Sequence, residues 1–98
     1  MLTGDEIFSR SRRLLGDNVM ERLSRCRVIV FGIGGVGSWC AESLVRTGLK
    51  HITVVDCDRV AVSNINRQSI ATLDTVGQIK VEAMKSHLLS INPTVEID

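Results

Sequence analysis

The glycines at positions 32, 34 and 37 stand between a short apolar run, Val28-Ile29-Val30, and a segment whose apolar residues have helical spacing. A G-x-G-x-x-G pattern between a strand and a helix is typical of a turn that holds the phosphates of a nucleotide. Gly32 permits the tight turn, Gly34 lets the backbone approach a phosphate, and Gly37 lets the helix pack closely on the strand. We predict that a nucleotide contacts this turn, including Gly35, and faces the free N–H groups of the helix start. A purely structural glycine turn is the alternative.

The segments on either side of the turn predict a parallel α/β unit. Residues 27–31 form a strand whose apolar residues do not alternate, as expected when both of its faces are covered. Residues 36–47 form a helix ended by Gly48, and residues 51–55 form a second buried strand. Strand, helix and strand in about thirty residues indicate a parallel crossover. The stripe expected to pack the helix onto the sheet is Val36, Trp39, Cys40, Ser43, Leu44 and Thr47.

The rest of the chain extends this unit into a Rossmann-like α/β fold with flanking helices. The further predicted elements are helices at residues 5–15 and 17–23, an irregular stretch at 57–74, a helix at 76–91 and a third strand at 94–97. We expect residues 1–26 to form an N-terminal helical segment and residues 27–98 to form the N-terminal part of a Rossmann-like nucleotide-binding domain, which a family resemblance implies is an ATP-binding adenylation domain. Because a three-stranded sheet keeps an open edge, we expect an incomplete domain, either a fragment or a chain completed by a partner.

Composition limits the class of protein. The 98 residues, 44% hydrophobic and 23% charged, are typical of a folded chain and make one small domain at most. No stretch resembles a signal peptide or a membrane span, so we expect a cytoplasmic protein with no membrane partner. Three cysteines without C-x-x-C spacing indicate free thiols, and His51 and His87 lack a second ligand at metal spacing, which favours structural roles. The arginines concentrated in the first third of the chain either meet phosphates or form a solvated surface.

An acidic residue follows the second predicted strand. Asp56 lies nineteen residues after Gly37, where a carboxylate accepts hydrogen bonds from ribose hydroxyls. Asp58 is the competitor for this role, although alternation along the chain directs it away from Asp56. Both NAD and ATP carry the ribose, so this position alone does not distinguish a dehydrogenase from an ATP-using enzyme.

The stretch SNINRQ and the later Lys80 favour ATP. Asn64, Asn66, Arg67 and Gln68 lie in a loop that leaves the same edge of the sheet as the glycine turn. The pyrophosphate of NAD needs few cations there, whereas a triphosphate has two more phosphates to neutralise. Lys80 falls on or beside the inward stripe of the later helix, and a buried lysine is costly unless an anion meets it. A lysine that extends along the border of the stripe into solvent is the alternative.

The segments GIGGVGSW, TVVDCDRV, SNINRQ and VGQIKVE, at these intervals, resemble the ThiF/MoeB/HesA-type adenylating enzymes, relatives of the ubiquitin-activating enzymes. The resemblance assigns Asp56 to the ribose, Asn64 and Arg67 to the phosphates and Lys80 to the triphosphate. It also implies a homodimer in which an N-terminal arginine reaches the ATP of the partner. Arg10 in FSRS matches that arginine, with Arg13 as the reserve. A magnesium-binding Asp, and any zinc-binding or nucleophilic cysteine, would fall beyond residue 98.

The same resemblance implies a reaction. GIGGVGSWCAESLVRTG, NINRQ and FSRSRRLLG look most like the tRNA threonylcarbamoyladenosine dehydratases of the family, which use ATP and Mg²⁺ to activate a carboxylate on tRNA and close it into a ring. The alternatives are an adenylyltransferase for a ubiquitin-like sulfur-carrier protein, a nucleotide-binding scaffold without catalysis and an NAD-binding dehydrogenase module. A thioester at Cys40 or Cys57 is disfavoured, because Cys40 belongs to the packed stripe and a nucleotide would crowd Cys57. We expect little turnover from the 98 residues alone.

Overall fold

The computed structural model describes residues 4–98. The helices and strands are α1 (Gly4–Ile7), α2 (Ser9–Leu15), α3 (Asp17–Arg25), β1 (Arg27–Phe31), α4 (Gly37–Thr47), β2 (His51–Val55), α5 (Lys80–Ile91) and β3 (Glu96–Ile97). One turn of 3-10 helix, Val62–Asn64, lies in the long connection between β2 and α5. The first three residues of the predicted N-terminal segment lie outside the described residues.

The three strands form one parallel sheet in the order β1-β2-β3. β1 pairs with β2 from Arg27 opposite His51 to Phe31 opposite Val55. β3 contributes only Glu96 and Ile97, so the third strand is shorter than predicted. Helices α4 and α5 connect the parallel strands, which confirms the predicted Rossmann-like α/β class. Because β1 and β2 end at the same edge, the segments that follow them meet there.

Helix α4 packs with a different face from the predicted one. Its buried residues are Ser38, Ala41 and Val45, while Leu44 of the predicted stripe is partly buried. The members of that stripe that lie at the surface are Val36, Trp39, Cys40 and Ser43. The predicted stripe is therefore wrong in register. Small side chains face inward because Gly37 brings the helix close to the strand that precedes it.

The outer face of β1 is uncovered in the described part of the chain. Val30 is buried, whereas Ile29 and Phe31 are exposed on the opposite face, Phe31 to 76%. The prediction that both faces of this strand are covered is therefore wrong for residues 4–98. The side chains of the hydrophobic core lie on the other face, between the sheet and the helices. The core includes Val30, Ile33, Ala41, Val45, Leu49, Ile52, Val54, Val60, Ile70, Ala71, Ala83, Met84, Leu88 and Val95.

Helix α5 begins at Lys80, four residues later than predicted. Val76 and Ile79 are partly exposed and precede the helix, so the prediction that they belong to its buried stripe is wrong. Gly77 has a φ of +91°, and its N–H donates to the carbonyl of Val60 at 2.8 Å. This turn and a single bridge between Arg59 and Ile79 hold the long connection against the start of α5.

The N-terminal helices pack at the edge of the sheet where β2 and β3 begin. The predicted helix at 5–15 is interrupted at Phe8, which is buried, as is Met20 of α3. A cavity of about 460 Å³ between these helices and the sheet is lined by both residues and by Lys50 and Thr94. Among residues 4–98, no helix combines the length and the apolarity that a membrane span requires.

The three cysteines are free, as predicted, and all are exposed. The prediction that Cys40 is packed is therefore wrong. His87 hydrogen-bonds Glu42 across α5 and α4, and Nδ1 of His51 lies 2.9 Å from Oε2 of Glu96. These carboxylate partners support the structural roles predicted for both histidines.

Candidate functional site

The glycine turn is shaped by two different steric requirements. Gly32 has a φ of +85°, which only glycine adopts without strain, and its N–H donates to the carbonyl of Val55 at 2.7 Å. A Cβ on Gly37 would lie 1.8 Å from the carbonyl oxygen of Gly32, so no side chain fits there. Gly34 and Gly35 have more room and face the connection after β2. Gly32 and Gly37 therefore build the turn, and the other two glycines form its surface.

Asp56 locks the end of β2 onto this turn. Its Oδ2 accepts the N–H of Ile33 at 2.8 Å, and its Oδ1 accepts the N–H of Asp58 at 2.8 Å. Partial burial raises the pKa of Asp56, but these two donors and the charge of Lys80 outweigh burial and hold the pKa below its ordinary value. The result is an ionised carboxylate beside the glycine turn. The side chain of Asp58 is exposed.

The segment after β2 carries Asn64, Arg67 and Gln68, of which Arg67 and Gln68 reach the glycine turn. Oδ1 of Asn64 accepts the N–H of Ala61 at 2.8 Å, so its oxygen closes the 3-10 turn. Gln68 is 6% exposed, and its amide nitrogen would lie 3.9 Å from a Cβ on Gly34. Its Oε1 is buried and has no hydrogen-bond partner in the described part of the chain. Gln68 therefore packs against the glycine turn at Gly34.

Arg67 lies over Gly35. The Cγ and Cδ atoms of the arginine would be 3.5 and 3.6 Å from a Cβ at that glycine. Its Nη1 donates to the carbonyl of Ser63 at 3.0 Å and to Oδ1 of Asn66 at 2.9 Å. The aliphatic part of Arg67 is thus fixed at the turn, and its planar cation is held at the surface.

Lys80 is a buried cation next to the same turn. It is 6% exposed and is the first residue of α5, where its N–H donates to the carbonyl of Asp58 at 3.0 Å. Its charge contributes to the lowered pKa of Asp56. Among residues 6–98, its ammonium group has no hydrogen-bond or ion-pair partner. Desolvating an unpaired ammonium group is costly, so this position suits an anionic ligand.

Comparison with known proteins identifies the family. Residues 8–98 match the ThiF family. The chain belongs to this family. It is 50% identical over 99 residues to tRNA threonylcarbamoyladenosine dehydratase 2 of Saccharomyces cerevisiae, covering 96% of this chain and 22% of the yeast protein. It is 47% identical over 90 residues to tRNA threonylcarbamoyladenosine dehydratase of Bacillus subtilis, covering 92% and 35%.

A solved structure of the ThiF type has the same fold. The crystal structure of Escherichia coli tRNA N6-threonylcarbamoyladenosine dehydratase in complex with ATP aligns with a TM-score of 0.93 at 42% identity. The alignment covers 95% of this chain and 38% of the E. coli chain. The chain therefore spans between 22% and 38% of the length of these relatives.

The predicted ThiF-type residues fall into two groups in space. Asp56, Arg67, Gln68 and Lys80 gather around the glycine turn through the contacts described above. Arg10 does not join them, because α2 lies with the N-terminal helices at the opposite end of the strands. Arg13 of the same helix is exposed as well. Within one chain, the N-terminal arginines therefore lie apart from the glycine turn.

Sequence reasoning missed Trp39 and Ser38. The indole Nε1 of Trp39 donates to the carbonyl of Arg67 at 2.8 Å. Ser38 is fully buried, and its Oγ accepts the N–H of Ser69 at 3.1 Å and donates to the carbonyl of Gly34. The half-exposed indole was available as a signal, because a tryptophan two residues after the last glycine has a polar N–H that requires a partner.

Side chains around Asp56 also bring three potential metal ligands together. One ligand atom each from Asp56, Cys57 and Asp58 lie within 4.8 Å of one another. Both carboxylate oxygens of Asp56 already accept backbone N–H groups, and the other two side chains are exposed. This arrangement is better explained by the turn after β2 than by a metal site.

Proposed function

We propose that the protein containing this chain adenylates a carboxylate with ATP and releases pyrophosphate. The proposed carboxylate is that of a threonylcarbamoyl group on a tRNA adenosine, which then closes into a ring as AMP leaves. The relatives at 47% and 50% identity carry the name of this dehydratase, and the aligned E. coli structure contains ATP. These comparisons support the proposed substrate, and the geometry of the site supports the proposed chemistry.

The buried Lys80 is the observation that carries the proposal. Lys80 is 6% exposed and has no hydrogen bond or ion pair among residues 6–98; the carboxylate of Asp56 attracts it only from a longer distance, so its ammonium group is free to bind a phosphate. Arg67 provides a second cation across the glycine turn, over Gly35. Two cations on a turn of this type suit a triphosphate better than the pyrophosphate of NAD, whose phosphates are satisfied largely by the helix start.

Other parts of the site fit the same ligand. The ionised Asp56 suits ribose hydroxyl groups, although its present hydrogen bonds to Ile33 and Asp58 occupy one lone pair on each oxygen. The open surface of Gly34 leaves space for a phosphate beside the N-terminus of α4.

The proposed chemistry depends on charge and alignment. A carboxylate oxygen of the substrate attacks the α-phosphorus of ATP, the bond from that phosphorus to the bridging oxygen breaks, and pyrophosphate leaves with its electrons. Arg67 supplies planar donors and Lys80 a compact charge for the departing phosphates. Mg²⁺, when bound with ATP, would neutralise further phosphate charge. Asn64 stabilises the loop that carries Arg67, in addition to the phosphate role that the family resemblance implies.

We further propose that the protein is a homodimer and is located in the cytoplasm. Arg10 lies far from the glycine turn of its own chain, which supports a homodimer in which this arginine serves the partner's site. A tRNA substrate and three free thiols support a cytoplasmic enzyme.

The test is exchange of labelled pyrophosphate into ATP by the full-length protein with threonylcarbamoyl-modified tRNA. Lys80→Met should reduce the exchange rate by about 10² to 10³ while the melting temperature stays equal or rises, because methionine fills the buried site without a charge. Lys85→Met, on the exposed side of the same helix, should change neither quantity. Full activity of the Lys80→Met protein would contradict the proposal.

The same assay separates the competing functions. Exchange that requires a sulfur-carrier protein in place of tRNA would assign the chain to that branch of the ThiF family. Absence of exchange together with tight NADH binding that ATP does not displace would indicate a dehydrogenase module. ATP binding without exchange for any carboxylate would indicate a catalytically inactive scaffold.

A further inference from the structure

Trp39 makes a contact that packing alone does not explain. It is the third residue of α4 and is 50% exposed, so its ring is not buried as a core residue would be. Its indole N–H nevertheless donates to the backbone carbonyl of Arg67 at 2.8 Å, across 28 positions in the chain. The hydrogen bond connects the helix that follows the glycine turn to the residue that carries the exposed cation.

We propose that Trp39 is a positioning residue that fixes Arg67 for adenylation, an inference that rests on the function proposed above. Arg67 is held through its backbone, its aliphatic stem and its guanidinium group, and its N–H also donates to the carbonyl of Asn64 at 3.2 Å. Its carbonyl accepts from the indole, its aliphatic stem lies over Gly35, and its guanidinium donates to Ser63 and Asn66. Among the contacts of Arg67 with the described residues, the indole hydrogen bond is the one that comes from α4, and it therefore fixes the backbone of Arg67 relative to that helix.

The neighbouring Ser38 supports this assignment. Its buried Oγ accepts the N–H of Ser69 and donates to the carbonyl of Gly34, so it joins the loop to the glycine turn. Ser38 and Trp39 thus hold the loop on either side of Gln68. The serine has a short side chain at the base of the loop, whereas the tryptophan has the length to reach its outer part. Both contacts begin in the first turn of α4, which is also where a phosphate would bind.

The contact matters for rate because an arginine stem is long and flexible. A displacement of about 1 Å at a group that stabilises a transition state costs a large factor in rate, while ground-state binding depends on many other contacts. Loss of the indole N–H should therefore lower kcat and leave the KM for ATP nearly unchanged. A residue that only stabilised the fold would instead reduce the amount of active enzyme at elevated temperature.

The experiment compares Trp39→Phe with wild type in pyrophosphate exchange by the full-length protein. Phenylalanine keeps an aromatic ring and removes the donor, so kcat should fall about tenfold and the KM for ATP should change less than about twofold. Ser43→Ala, one turn further along the same face of α4, is the matched control and should have wild-type kinetics. Unchanged kcat in Trp39→Phe would overturn the proposal.

A double-mutant comparison distinguishes positioning from general stabilisation. In an Arg67→Ala background, Trp39→Phe should have almost no further effect, because the cation that it positions is gone. An equal tenfold loss in both backgrounds would show that Trp39 acts independently of Arg67 and would overturn the proposal.

Amide hydrogen exchange gives a readout that does not require activity. Trp39→Phe should accelerate exchange in residues 63–69, while the strands keep their wild-type protection. If the wild-type protein shows no pyrophosphate exchange but residues 63–69 lose protection in the variant, Trp39 does hold the loop and the proposed adenylation is wrong. Unchanged protection of residues 63–69 would show that Trp39 does not hold the loop.

Discussion

Asp56 joins two elements before any ligand binds. One oxygen accepts the N–H of Ile33 in the glycine turn and the other accepts the N–H of Asp58 after β2. Its pKa is lower in the folded chain than in the unfolded one, because these donors and Lys80 outweigh the effect of burial. Its stabilisation is therefore complete above the ordinary carboxyl pKa, about 4, and is lost as the pH falls through the lowered folded value.

Asp56→Asn should reveal this contribution in the pH dependence of unfolding. At pH 7 the free energy of unfolding of the variant should be about 1 to 3 kcal/mol lower than that of the wild type, because an amide cannot accept both N–H donors as the carboxylate does. Below the folded-state pKa the difference should narrow, since the wild-type carboxyl is then protonated. Denaturant unfolding from pH 7 to pH 3 measures both. The exposed Asp74→Asn is the control, and a difference for Asp56→Asn that stays constant across this range would contradict the assignment.

Glu42 also makes the free energy of unfolding depend on pH in the acidic range, and its effect has to be distinguished from that of Asp56. Partial burial raises the pKa of Glu42, but hydrogen bonds and charge from His87 and Arg46 outweigh burial and lower it. The wild-type protein therefore loses stability in acid through both carboxylates, and Asp56→Asn should retain the part due to Glu42.

The glycine turn and α4 are packed tightly at Gly37, where α4 begins. A Cβ at position 37 would lie 1.8 Å from the carbonyl oxygen of Gly32, while one at position 35 would make an ordinary contact at 3.5 Å with Arg67. Gly37→Ala should thus destabilise the chain by at least about 3 kcal/mol, and Gly35→Ala by less than about 1 kcal/mol. Chemical denaturation of both variants tests this, and equal losses of stability would contradict the steric assignment.

The same junction shows where sequence reasoning succeeded. The strand, turn, helix and strand could be predicted because glycine spacing and short apolar runs are local signals. The packed face of α4 could not, because its inner residues, Ser38 and Ala41, are small and only weakly or not at all apolar. Trp39 and Val36 dominated the pattern although both are at the surface. Which face of α4 is buried depends on the orientation of the helix relative to the sheet, and the glycine turn sets that orientation.

The candidate site was predictable by a different route. Asp56 and the glycines follow from the ends of neighbouring parallel strands, which meet at one edge of the sheet. The start of α5 was predicted too early, because Val76 and Ile79 continue the helical spacing into a segment that Gly77 turns. The burial of Lys80, predicted from its place on or beside the inward stripe, is confirmed at 6% exposure, although the helix begins only at this residue.

At the scale of the whole molecule, the glycine turn and the N-terminal helices lie at opposite ends of the strands. The glycine turn, Arg67 and Lys80 lie where the strands end, and the N-terminal helices pack where β2 and β3 begin. An arginine of α2 therefore does not reach the turn of its own chain in this arrangement. In the proposed homodimer, α2 of the partner would supply the arginine that α2 of the same chain does not.

Mixing two inactive variants tests whether Arg10 acts across the dimer. Arg10→Ala and Arg67→Ala should each be inactive alone, but a mixed dimer has one site with both arginines intact. With random exchange of subunits, about half of the dimers are mixed and about a quarter of wild-type exchange activity should return. Arg67→Ala mixed with Lys80→Met is the control, because both residues serve the site of their own chain and every site remains defective. Recovery in the control, or none with Arg10→Ala, would show that Arg10 does not complete the partner's site.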